Sequence, residues 1–147
     1  ANERATAQQR QVAEKLFQPT CERIMWLPDE LVDAATGIGP AITPYSCLII
    51  KALIQAGVDQ GIPEELAREV ALEGLVAAGR MIRDSGYSPD EIINMVATRE
   101  GLTWASLHTM QKKGLPAAVR AGALAMTARS IELRDEPIPP HMQDFER

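Results

Sequence analysis

Thr98, Arg99, Glu100, Gly101, Leu102 and Thr103 form a short, mostly polar run broken by one glycine and leading directly into a helical pattern. The first amides of such a helix have no intrahelical acceptors and carry the positive end of its dipole, so they can receive a carboxylate. A plainer role is open to the same residues, with Thr103 as the N-cap and Gly101 as a turn residue. Gly37-Ile38-Gly39-Pro40-Ala41 is a second candidate, because paired glycines let a backbone approach a pyrophosphate. It lacks the third glycine, follows a helical pattern instead of a strand, and places Pro40 where an amide donor would be useful, so a tight helix-helix connector is the better reading. His108 sits in a helix and His141 in a proline-rich tail, neither with further ligands at fixed offsets, and no metal site is indicated.

These residues need a scaffold, and composition bounds it. The chain has 147 residues, 46% hydrophobic, enough for about one domain. Its net charge of −5 supplies no basic field for a phosphate backbone or an anionic bilayer, so neither nucleic acid nor membrane is an expected partner. The most apolar run, Cys47 to Ile50, meets Lys51 at once, well short of the roughly 20 residues that span a bilayer. Cys21 and Cys47 lie far apart and suggest neither a disulfide framework nor a zinc knuckle; a soluble protein in a reduced, cytoplasmic setting fits.

Alanine occurs 21 times, aromatics make up 4%, and alternating β-branched runs are nearly absent, which predicts an all-α chain of closely packed helices. Helical spacing runs from Ala5 to Phe17 and stops at Pro19. Arg23 to Leu27 is the one convincing strand, and a strand without neighbours is unstable. A short helix follows Pro28-Asp29-Glu30. Tyr45 to Gly57 is apolar almost all round, with Lys51 and Gln55 as exceptions, and Glu64 to about Asp84 mixes small and large apolar residues. Gly74 and Gly79 each cost about 1 kcal/mol inside that helix, so a close backbone approach is expected there. Ser88-Pro89-Asp90-Glu91 caps the next helix, Gly114 ends the one after it, and Leu115 to about Leu133 carries only Arg120 and Arg129 as charges before Glu132. Two helices apolar on nearly every side leave too little polar exterior in one copy. A large hydrophobic homodimer interface solves this.

Taken in order, several segments resemble the C-terminal part of pyrroline-5-carboxylate reductase. Residues 9–17 followed by Arg23-Ile24-Met25-Trp26-Leu27 look like the last helix and strand of that family's nucleotide-binding domain. Leu31 to Ala41 is similar to its D-A-x-T/S-x-x-x-G-S-G-P-A segment, and Ile50 to Pro63 to its I-E-A-L-x-D-A-G-V-x-x-G-L-P. The resemblance implies a helical bundle that interleaves into a homodimer able to assemble further, preceded by a remnant helix and strand of a Rossmann domain. On that view residues 1–28 close the nucleotide-binding domain, 29–134 are the dimerisation and substrate domain, and 135–147 are an extended tail.

The resemblance also implies reduction of 1-pyrroline-5-carboxylate to proline by NADP or NAD in its reduced form. With only two elements of the nucleotide-binding domain in this chain, neither cofactor is expected bound to it. The family's substrate loop reads S-P-G-G-T/A-T. By position, Thr98, Gly101, Leu102 and Thr103 are its substrate-binding residues, and Thr103 takes the catalytic place beside the imine nitrogen; the ligand is the imino acid or proline. Arg99 and Glu100 depart from the pattern. A carboxylate at Glu100 about 4 Å from the substrate's would repel it by up to roughly 4 kcal/mol at an effective dielectric near 20. The alternative is a stand-alone oligomerisation or regulatory module that has lost the chemistry.

Overall fold

The computed structural model describes residues 5–136. Thr6 opens the first helix, α1 (Ala7–Phe17), with a capping box: its hydroxyl accepts from the Gln9 amide, and the Gln9 side chain accepts from the Thr6 amide at 2.8 Å. After Pro19 the chain returns along α1. Trp26 fastens it there, donating from Nε1 to Glu14 at 2.6 Å, with the Arg10 guanidinium 5.7 Å from its ring centre. Arg23 to Leu27 is not a strand. A strand exists through its ladder, and no partner strand is present among the described residues.

A 3₁₀ turn, Asp29–Leu31, leads into α2 (Val32–Ile38), and Gly39-Pro40-Ala41 connects to α3 (Ile42–Asp59). Then come α4 (Glu64–Ser85), α5 (Pro89–Val96), α6 (Leu102–Lys112) and α7 (Leu115–Asp135). The described chain is all-α, with no strands. The helix reaches Asp135, and the remainder of the expected tail, with His141, lies outside the described residues.

The chain divides into two compact units. One comprises the residues up to Gly39 with those from Ala123 onward, and the other is Pro40–Gly122. In the first, α2 lies against the C-terminal half of α7: Asp33 accepts from Ser130 Oγ at 2.7 Å and from Arg134 at 2.6 Å. In the second, α3 and α4 form a hairpin. Gly61 (φ 89°) turns the chain, and the Ile62 amide reaches back to the Gly57 carbonyl at 3.0 Å. Gly57 and Ala67 are both buried where the helices meet, and a Cβ on Gly57 would stand 2.9 Å from the Ala67 Cβ. Tyr45 on α3 lies against Gly122 on α7, its hydroxyl 2.8 Å from where a Cβ would be.

The expected close approach at Gly74 and Gly79 is not made among the described residues, since a Cβ at either position meets none of their atoms within 4 Å. Gly74 instead floors an apolar groove of about 430 Å³ between α3 and α4, walled by Ile49, Leu53, Val70, Leu75 and Ala78. Buried hydrophobic side chains among the described residues are confined to two alanines, Ala41 and Ala67, while Leu48, Leu53, Val70 and Leu124 are each more than half exposed. The stretch Asp29–Asp59, which holds α3, is long and apolar enough to cross a membrane, its most apolar 18-residue window having a mean hydropathy of 1.4. Counting unbroken apolar residues missed this, because Lys51 and Gln55 interrupt a helix that is apolar on average.

The loop before the sixth helix as a candidate site

The loop joins the end of α5 to the start of α6. On its N-terminal side α5 begins with Ser88, whose hydroxyl accepts from the Glu91 amide. The Glu91 carboxylate accepts from the Ser88 amide at 2.8 Å and the Ser88 hydroxyl at 2.7 Å, and these two bonds hold its carboxyl below the usual carboxylate range. Pro89 fills the first helical position, where a missing amide costs nothing. After Val96 the chain leaves the helix, and the Gly101 amide donates to the Thr98 carbonyl at 2.9 Å to close a turn around Arg99 and Glu100.

Glu100, the third residue of this turn, is left-handed (φ 61°), the sole such non-glycine position among the described residues. A negative φ at the second turn residue and a positive φ at the third is the pattern that favours proline followed by glycine. The chain has arginine and glutamate there. Gly101 has an ordinary extended φ of −78°, and its lack of a side chain serves close approach: a Cβ would press on the Thr98 hydroxyl and lie 3.0 Å from the Thr98 carbonyl oxygen.

Gly101 is also the N-cap of α6, and it caps with no side-chain hydrogen bond. This corrects the plainer role given to Thr103, which lies one residue inside the helix at its second position. The Ala105 amide is the first to find a helical acceptor, the Gly101 carbonyl at 3.1 Å, leaving the amides of Leu102, Thr103 and Trp104 pointing out of the helix start. Leu102 is 94% exposed. Thr98 and Gly101 are thus in direct contact, with Leu102 and Thr103 on the adjoining turn. One turn further on, Trp104 and His108 stack with ring centres 4.9 Å apart.

Two features were not singled out from the residues. The left-handed turn position at Glu100 had a signal, the glycine that the similar family carries there. The clasp of Asp33 with Ser130 and Arg134 spans 97 and 101 residues of sequence and had none. The Gly37 to Gly39 segment does not fit a dinucleotide. Gly37 is filled by the backbone of Ala123 and the side chain of Thr127, Gly39 lies at the end of a helix, and Pro40 has no amide to offer. Cys21 and Cys47 are both free thiols.

Residues 29–133 match the family described as pyrroline-5-carboxylate reductase dimerisation. Among curated proteins the chain is similar to pyrroline-5-carboxylate reductase 3 of Macaca fascicularis, 30% identical over 77% of this chain and 41% of that one. It is also similar to pyrroline-5-carboxylate reductase of Thermus thermophilus, 33% identical over 73% of this chain and 40% of that one. Both alignments span about two-fifths of the relative. Among solved structures, pyrroline carboxylate reductase of Plasmodium falciparum with NADP bound aligns with a TM-score of 0.81 at 22% identity, over 88% of this chain and 52% of that one. The 1-pyrroline-5-carboxylate reductase of Streptococcus pyogenes aligns with a TM-score of 0.81 at 23% identity, over 87% and 49%. At these identities the structural likeness is one of fold.

Proposed function

The chain belongs to the pyrroline-5-carboxylate reductase dimerisation family, and from that premise we propose that residues 29–134 are the dimerisation and substrate side of a reductase converting 1-pyrroline-5-carboxylate to proline. The family match over residues 29–133 carries this reading. The bare apolar groove around Gly74 supports it, as the seat for a second copy of the chain. The run of apolar residues in α3 then faces protein in place of lipid.

At the loop, the Thr98 hydroxyl and the free amides at the start of α6 hold the substrate carboxylate, and the Thr103 hydroxyl lies beside the imine nitrogen that becomes the amine. Gly101 and Leu102 shape the approach, Gly101 by letting Thr98 close over it and Leu102 by presenting an uncovered apolar side chain. Reduced NADP or NAD supplies the hydride in such a reductase; no residue described in this chain is assigned to that cofactor.

One observation favours a second reading, an oligomerisation or regulatory module without chemistry: Glu100 occupies a left-handed position at which the family pattern has glycine, and it puts a negatively charged residue immediately before the N-cap of α6. Calorimetry of the chain with proline separates the two. Saturable binding that Thr103→Val abolishes supports the reductase reading, while a stable dimer that takes up no proline supports the second. A chain that sediments as a monomer overturns both.

A further inference from the structure

We draw no further inference here: the strongest candidate, the apolar groove between α3 and α4 around Gly74, carries nothing beyond the dimerisation already proposed for it, because nothing in the structure shows any other occupant covering it.

Discussion

Gly37 in α2 and Thr127 in α7 touch with no room for a methyl group between them. A Cβ built on Gly37 runs into the Thr127 hydroxyl and comes within 2.7 Å of the Ala123 carbonyl oxygen. One turn earlier on α2, Asp33 takes hydrogen bonds from Ser130 and Arg134, which lie further along α7. The two helices therefore run antiparallel, and Ala123, Thr127, Ser130 and Arg134, spaced three or four apart, are the α7 positions that meet α2. Steric closeness at one end and a charge-assisted clasp at the other define the register.

Gly37→Ala is expected to lose about 1–3 kcal/mol of stability through overpacking, read as a lower urea midpoint. Adding Thr127→Ala restores only part of the loss, since the Ala123 carbonyl is backbone and cannot be trimmed. Complete restoration would mean the hydroxyl alone sets the spacing. Asp33→Asn keeps an acceptor for Ser130 and removes the charge facing Arg134, whose side chain is 62% exposed; the expected loss is about 0.5–1 kcal/mol and shrinks in high salt.

The capping box of α5 predicts a pH dependence with a definite sign. Hydrogen bonds from the Ser88 amide and hydroxyl lower the Glu91 carboxyl below its ordinary value. Its contribution is therefore complete above the unfolded pKa, about 4.3 for glutamate, and disappears as pH falls through the lower folded value. The protection of the α5 amides, taken relative to the intrinsic exchange rate at each pH, should fall over that acid range, and Glu91→Gln should flatten the change. An unchanged profile in Glu91→Gln would place the acid sensitivity elsewhere.

Sequence pattern reached the helices because their punctuation is local. Ser88-Pro89 starts α5, and Gly114, left-handed at φ 81°, follows α6 as the expected terminator. The strand expected at Arg23 to Leu27 failed for the opposite reason, since its existence depends on a neighbour that local composition cannot supply. The loop was legible in part. Its place before a helix could be read from residues 98–103, but the left-handed Glu100 is not signalled by glutamate itself, only by the glycine that the similar family carries at that position. The close approach expected at Gly74 and Gly79 is not found among the described residues, where a Cβ at either position would meet no atom within 4 Å.

Glu100→Gly tests how much the turn is burdened. A residue with a Cβ in the left-handed region costs roughly 1–2 kcal/mol, partly offset by the chain entropy that glycine adds to the unfolded state. The variant is expected to gain about 0.5–1 kcal/mol in urea unfolding. It also removes a charge near the α6 amides, so proline affinity should rise by tenfold or more at low salt, with the gain falling as salt is added. Greater stability with unchanged affinity would show that the carboxylate stays clear of the ligand.

Gly74→Ala distinguishes a free helix face from a covered one by the sign of its effect. With no atom within 4 Å, alanine in an uncovered α4 would stabilise the helix by about 1 kcal/mol. If a second copy seats in the groove, the added methyl meets its side chains and costs about 1–3 kcal/mol of packing, weakening association by roughly tenfold for each 1.4 kcal/mol. The expected result is a rise in the dimer dissociation constant, measured by sedimentation across a dilution series, with helicity in circular dichroism unchanged at high protein concentration. A higher melting temperature with dissociation unaltered would leave the groove without its proposed occupant.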